Sequence, residues 1–426
     1  MSFCRFSVVS GLFLAAWFGD TVQGADPAPV LRVKSQSVSF AQPNREFAAY
    51  EVVSYTSVKG PEMFRIRSEE VKDDLLSNYK ISRSPDHGET WLATEEWESS
   101  RKTPEGMYRR MIFSPPYCDE KTERLLLVGE EGVLPRDVIH DAYVHMHQIY
   151  LTSTDHGKTW SKARQIMQHG DGYSPEHPFP DIHVGKNTSV TANVPRGRSD
   201  GAVLVPIQIS VLDKAGKLFL PPGAYTYLES ALLIGTWQQD GTLQWEISQR
   251  MNLPPEKSLR GAFEPTMGEF PDKRVLVVMR ANDGHKWYTV SKDGGRTFDE
   301  LRRWTYTDGS SFFSPSSISQ LVPHSDGTWY WIGNICETAP HGNAPRYPLV
   351  IGRVDPQTML LDRKSIVTID TRKGDDPVGL QLSNFTVVED RRNGDFLLRT
   401  TRWDGVTSGT GRTVDASVHL YRIGQN

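Results

Sequence analysis

Glu264 and Arg280 stand eight residues to either side of Asp272, in the stretch Phe263-Glu264-Pro265-Thr266-Met267 to Val277-Val278-Met279-Arg280. The apolar runs flanking Pro271-Asp272-Lys273 read as a β-hairpin with its turn at those three residues. In simple register the carboxylate and the guanidinium face one another at the open end of that hairpin. Such a pair can hold an anionic ligand or tune a neighbouring acid or base; the plainer alternative is a structural ion pair. Arg346 and Tyr347 precede a second apolar strand, Leu349-Val350-Ile351. Arg346 offers another cation for an anionic group, or is a surface loop residue. Tyr347 is a ligand-facing phenol or an aromatic marking the strand entry. Ser316 and Asn334 also sit at strand ends and supply a hydroxyl and an amide of the kind that pair with sugar hydroxyls. Ordinary turn chemistry explains both equally well.

Seven of the twelve histidines fall between residues 140 and 183, six of them besides His156. In Val144-His145-Met146-His147 two imidazoles share one face if the segment is a strand. They could then bind a metal or one could move a proton near neutral pH. The competing reading is exposed or core-satisfied histidine. No metal-type cysteine spacing is present, so neither a metal nor a cofactor is expected. Cys118 and Cys336 can pair in an exported chain or remain two buried thiols.

The elements that must carry these residues follow from a repeat. Ser84-Pro85-Asp86-His87-Gly88-Glu89-Thr90-Trp91 recurs as Ser153-Thr154-Asp155-His156-Gly157-Lys158-Thr159-Trp160 and as Ser291-Lys292-Asp293-Gly294-Gly295-Arg296-Thr297-Phe298. The aspartate can accept from turn N–H groups, glycine supplies positive φ, and the aromatic packs between sheets. Asp86, Asp155 and Asp293 are therefore turn residues closing hairpins, not catalytic ones. The first spacing is 69 residues and the second is twice that. A degenerate copy is thus expected between the second and third, and Asp240-Gly241-Thr242-Leu243-Gln244-Trp245 fills that place. A fixed period of one supersecondary unit indicates a radial or stacked array. The length accommodates roughly six units, so the fold expected is all-β, a six-bladed β-propeller. The blades are drafted as 47–96, 110–163, 189–247, 263–302, 316–368 and 382–421, with residues 30–40 adding a strand to the last and closing the ring.

The repeats and the Glu264–Arg280 hairpin together resemble the sialidase (neuraminidase) superfamily of Asp-box, or BNR-repeat, proteins. The resemblance implies that Glu264 is catalytic, supporting a tyrosine nucleophile. It implies that Arg280 and Arg346 belong to an arginine trio gripping a sugar carboxylate. Two departures stand out. The segment that should open with the nucleophilic tyrosine reads Leu382-Ser383-Asn384-Phe385. The third arginine has no good match, because Phe64-Arg65-Ile66-Arg67 reads as the second strand of a hairpin, and Asp73 and Asp74 are out of register for the acid/base aspartate. The resemblance implies an exo-acting glycoside hydrolase for a terminal acidic, carboxylated sugar. A propeller-type lyase or unusual glycosidase acting on uronate-containing polysaccharide, or a non-catalytic carbohydrate-binding propeller, are the alternatives.

Composition agrees with a turn-rich globular protein: 35 glycines, 27 prolines and 10% aromatic residues in 426. A net charge of −4 leaves no basic footprint for nucleic acid. Residues 1–24 read as a secretory signal, with Arg5 before an apolar run from Phe6 to Phe18 and small residues ahead of Ala25. That run is too short for a membrane span. An exported monomer is expected, with 25–426 forming one propeller domain whose partner is an acidic glycan or polysaccharide.

Overall fold

The computed structural model describes residues 31–43, 47–72, 75–404 and 415–425. The leader at 1–24 and the pair Asp73 and Asp74 lie outside them. Six antiparallel sheets form the ring, each running outward from an inner strand. Blade one is Ala49–Tyr55, Met63–Lys72, Tyr79–Ser84 and Leu92–Trp97. Blade two centres on Tyr108–Phe113, Leu125–Leu134 and Met146–Ser153. Blade three is Ser189–Thr191, Val203–Ser210, Leu228–Trp237 and Leu243–Ile247. Blade four is Phe263–Glu269, Val275–Arg280, Lys286–Ser291 and Arg302–Arg303. Blade five is Gln320–Pro323, Trp329–Asn334, Leu349–Val354 and Val367–Asp370. Blade six takes Phe385–Glu389, Phe396–Thr401 and Val418–Gly424 from the end of the chain and Arg32–Phe40 from its beginning.

That last pairing closes the ring, as expected from residues 30–40. Arg32 pairs with Gly424 and Phe40 with Val418. Closure ties the last blade to the beginning of the chain, with Arg32–Phe40 as its outer edge strand, and leaves the ring only short edges. The cores lie between blades rather than within them. Leu126, Val128, Val205, Ile207 and Trp245 fill the gap between blades two and three, and Leu276, Val278, Trp331 and Val350 the gap between four and five. Among the described residues no helix is long and apolar enough to cross a membrane.

Each Asp-box joins the third strand of its blade to the fourth. In the first, Ser84 Oγ donates to Asp86 Oδ1 at 2.8 Å and accepts from Gly88 N at 2.8 Å. Asp86 accepts from Thr90 N at 2.8 Å and from Thr90 Oγ1 at 2.7 Å. The second and third copies repeat these contacts at Asp155 and Asp293. Residues 87 and 88 both have positive φ, as do 156 and 157, and 294 and 295. That is why glycine is fixed at the second position, while histidine or glycine stands at the first. Asp240 also accepts from a threonine's N and Oγ1, but from Thr242, two residues on rather than four, so the degenerate copy closes its hairpin with a shorter turn. Blade five has one that its sequence hides: Asp355 accepts from Thr358 N at 2.7 Å and Thr358 Oγ1 at 2.8 Å. Cys118 and Cys336 are free thiols. Replacing Asp293 with alanine removes four hydrogen bonds from an exposed turn. It should lower the denaturant midpoint by the equivalent of about 1 kcal/mol, with the blade still folded by circular dichroism.

Candidate active site

Propeller topology brings three kinds of strand end to one face: the start of each inner strand, the end of each second strand and the start of each third. In blade four these are Glu264, Arg280 and Lys286. Glu264 and Arg280 do meet, but not through simple register. Phe263 pairs with Arg280, and a bulge follows before Thr266 pairs with Val278. Glu264 sits in that bulge with φ of 45°, a conformation that costs a non-glycine residue energy. The distortion swings its carboxylate onto the guanidinium, where Arg280 Nη1 lies 2.6 Å from both Oε1 and Oε2. Burial raises the Glu264 carboxyl pKa. Arg280 first, then Arg260 and Arg346, outweigh it and hold the group below the usual carboxylate range.

Arg280 is buried and engaged on every side. Nε donates to Ser316 Oγ at 3.0 Å, Nη2 donates to Asn343 Oδ1 at 3.2 Å, and the guanidinium lies 4.7 Å above the Phe263 ring. Arg346 approaches from the loop before the third strand of blade five. Its Nη1 donates to Gln381 Oε1 at 2.7 Å and Ser383 Oγ at 3.0 Å, and its Nε to Asn343 O at 3.1 Å. Asn343 thus touches both arginines and sets their separation.

Three sequence candidates take different places from those expected. Ser316 is wholly buried and serves as the acceptor that orients Arg280. Asn334 is also wholly buried, and its amide is spent inside the protein. It donates to the carbonyls of Arg346 at 3.0 Å, Pro348 at 3.2 Å and Leu382 at 3.3 Å, and accepts from Ser317. Both are positioning residues rather than sugar ligands. Tyr347 packs against the apolar cluster between blades five and six, as a strand-entry aromatic does. The paired-histidine expectation fails for a local reason. His145 ends the helix Ile139–His145, and His147 belongs to the following strand, so the two do not share a strand face. Among the described residues no group of three or more potential ligands can hold a metal.

Arg65 and Arg67 are confirmed in the second strand of blade one, where they lie beside Glu51 rather than Glu264. The third guanidinium near Glu264 is instead Arg260, which sequence reasoning passed over. It is buried, donates from Nε to Thr226 Oγ1 at 2.9 Å and lies between the rings of Tyr225 and Phe263 at 4.1 and 4.5 Å. Its Nη1 has no hydrogen-bond partner among the described residues. The visible signal was its place four residues before Glu264. A second omission is Tyr50, at the start of the inner strand of blade one, whose hydroxyl donates to Glu70 Oε2 at 2.7 Å. Asn384 Nδ2 lies 3.4 Å from the same hydroxyl. Tyr50 is thereby linked to the segment where Leu382, fully buried, stands.

The matching family is the BNR repeat-like domain, over residues 67–373. The chain belongs to this family. No curated protein matches it. Among solved structures it is similar to a protein of unknown function from Dyadobacter fermentans, at 16% identity and a TM-score of 0.61, covering 93% of this chain and all of that one. It is similar to the NanB sialidase of Streptococcus pneumoniae at 12% identity and a TM-score of 0.59, covering 91% of this chain and 70% of the other. A sialidase of Trypanosoma rangeli follows at 14% identity and 0.55, with 93% and 60% covered. At these identities the likeness is one of fold: this BNR-repeat chain is a sialidase-type propeller.

Lys286 lies beneath the cluster. It is wholly buried, and its ammonium donates to the carbonyls of Pro315, at 3.3 Å, and Ser317. It thereby pins the turn that presents Ser316 to Arg280. Burial first, then Arg280, pushes its pKa down to about 7. An anion arriving nearby favours the charged form and raises that value. Binding of an anionic ligand at pH 7–8 should therefore take up a fraction of a proton. Calorimetry in buffers of differing ionisation enthalpy would read this, and Lys286→Met should remove it.

Proposed function

We propose that this BNR-repeat protein is an exo-acting glycoside hydrolase for a terminal carboxylated sugar. The observation that carries the reading is the grouping of three arginines beside Glu264: Arg280 is bonded to its carboxylate, Arg346 shares Asn343 with Arg280, and Arg260 shares the Phe263 ring with Arg280. Three cations around one anion leave the cluster positive, and one more carboxylate completes it. Arginine suits the task because its planar fork matches a carboxylate in two bonds at once. In this reading Arg280 and Arg346 grip the sugar acid and Arg260 supplies the third positive group. Glu264 holds Arg280 in place and keeps the empty site from carrying an unbalanced charge.

Leu382 has no group that can attack an anomeric carbon. Tyr50 does, and Glu70 is hydrogen-bonded to its hydroxyl to accept the proton. Hydrolases of this architecture can use tyrosine in place of a second carboxylate as nucleophile. Tyr50 reaches the clamp through Asn384 and Ser383, the latter bonded to Arg346 at 3.0 Å. The NanB and Trypanosoma rangeli proteins are sialidases by name, which makes sialic acid one natural probe and uronic acids the other.

The test is a screen of the purified protein on terminal sialosides and on uronate-containing polysaccharides. Release of a reducing acidic sugar is expected. An unsaturated product absorbing in the ultraviolet would reassign the chemistry to a lyase, and binding without turnover would reassign the protein to a lectin-like role. Tyr50→Phe should lower kcat by about 10²–10⁴ with KM little changed. Arg280→Ala should lower kcat/KM by a similar factor, mostly through KM. Glu264→Gln should also abolish turnover while leaving the fold intact. Full activity in Tyr50→Phe would remove the tyrosine from the mechanism, and full activity in Arg280→Ala would remove the clamp.

A further inference from the structure

The contact between the first and last blades differs from the others in chemistry. Apolar clusters of up to fourteen buried residues fill other gaps of the ring. Here the corresponding apolar cluster has only Val53, Tyr55 and Met63 at its centre. Beside it lies Glu51, whose side chain is wholly buried between three guanidiniums: Arg65 at 3.4 Å, Arg67 at 3.7 Å and Arg399 at 3.7 Å. Ser39 Oγ donates to the other carboxylate oxygen at 2.6 Å. One carboxylate among three cations leaves two positive charges in excess. Hydrogen bonding is short as well. Glu51 Oε1, Arg65 Nε and Arg399 Nε have no hydrogen-bond partner among the described residues. Arg65 and Arg67 lie over the rings of Trp91 and Phe40, at 4.3 and 3.9 Å, which eases the desolvation of the cations without neutralising them. Arg399 is 3% exposed, and burial pushes its pKa down to about 10. Buried cations without a matching anion are costly, and buried polar groups without partners call for a missing one.

A cavity of about 310 Å³ reaches this cluster. Glu51 and Arg399 form one part of its wall, and Asn384 and Ile318 another. Asn384 follows Ser383, a ligand of Arg346, and Ile318 lies two residues beyond Ser316, the acceptor of Arg280. The cavity therefore adjoins the clamp. Glu70 is the other charged group in its wall and is bonded to Tyr50. The wall itself thus carries two carboxylates and one guanidinium, and the excess of one positive charge comes from Arg65 and Arg67, which sit behind Glu51 and neutralise it.

The geometry points to a second anion subsite in this cavity, which takes one oxyanion substituent of the substrate, a sulfate ester or a second carboxylate, against Arg399. The inference rests on the preceding reading only in assigning the first carboxylate to the central clamp. It makes the substrate a multiply acidic glycan rather than one with a single charge.

Two titrations test it. In the first, a uronic acid and the same uronic acid carrying one sulfate ester are compared by calorimetry. The sulfated sugar should bind the wild-type protein at least about tenfold more tightly. Arg399→Gln, and the more accessible Arg67→Gln should Arg399→Gln fail to fold, should bring that margin to about twofold or less and leave affinity for the plain uronic acid unchanged. Equal affinity for the two sugars in the wild type, or a margin that survives both substitutions, overturns the proposal. In the second, inorganic sulfate is added to Arg280→Ala protein, whose central clamp is disabled. A rise in Tm of about 2–4 °C is expected at saturating sulfate, and its loss on adding Arg67→Gln or Arg399→Gln. Absence of the rise overturns the subsite. A sulfate-dependent rise with no preference for the sulfated sugar assigns the cavity to a free anion and overturns its role in substrate recognition. Failure of the clamp itself shows separately, as plain uronic acid binding that Arg280→Ala does not weaken.

Discussion

Positive charge buried around too few carboxylates is the constraint on which the functional face depends. Arg280 and Arg260 are both at least nine-tenths buried, and neither is tolerable there without a nearby anion. Glu264 supplies it, at the cost of a bulge and a positive φ in the middle of a hairpin. The neighbouring groups make sense as consequences. Ser316 and Asn343 fix where the Arg280 fork points, Lys286 fixes the turn carrying Ser316, and Asn334 fixes the backbone carrying Arg346. The arginines are thus held by groups that never need to touch a ligand. That is the preorganisation a clamp requires, because little ordering is left to be done when the ligand arrives.

The ring explains why the chemistry and the repeats do not mix. In blade four the third strand starts at Lys286, under the clamp, and ends at Ser291, the first residue of an Asp-box. Strand direction therefore puts the Asp-boxes and the clamp at opposite ends of the blade. The Asp-boxes can be uniform because they only close hairpins. The other end can vary freely, since each blade contributes strand termini and loops supported by a fixed frame. Closure by the N-terminal strand completes the frame and brings Ser39 and Phe40 against Glu51 and Arg67. The seam of the ring is thus where the chain's two ends and a second charged cluster coincide.

The fold was legible because its signal repeats. Three Asp-boxes gave a period, their doubled second spacing called for a further turn in between, which Asp240 supplies 16 residues past the midpoint, and the strand drafts fell within a few residues of the observed blades. Asp355 escaped because its turn keeps only the aspartate and threonine, and the hydrogen bonds need no more than that. The site was legible only in part. Glu264 and Arg280 were found by spacing, although a bulge, invisible in the sequence, is what joins them. Asn334 does end a strand and Ser316 lies in the turn before one, but sequence cannot tell whether a polar group faces a pocket or is consumed by the protein's own groups, as both of these are. Arg260 and Tyr50 were missed because their partners lie on other segments of the chain: Thr226 and Tyr225 for one, Glu70 and Asn384 for the other. The His145–Met146–His147 reading failed because a short helix ends there, and alternation has no meaning across a helix–strand junction.

The net charge of the whole chain is −4, yet the groups around the clamp and the seam are positive. The two facts work together. An acidic exterior gives a polyanion little reason to adhere at random, since exposed charges beyond a Debye length are screened and the average field repels it. The buried guanidiniums are shielded from that exterior and act in a medium where each charge counts for more. On the proposed reading, an anionic group gains from this protein by leaving water and reaching one of the two clusters. On that reading selectivity resides in shape, in which acidic groups of a glycan can be inserted at the spacing of clamp and seam, rather than in general attraction for negative charge.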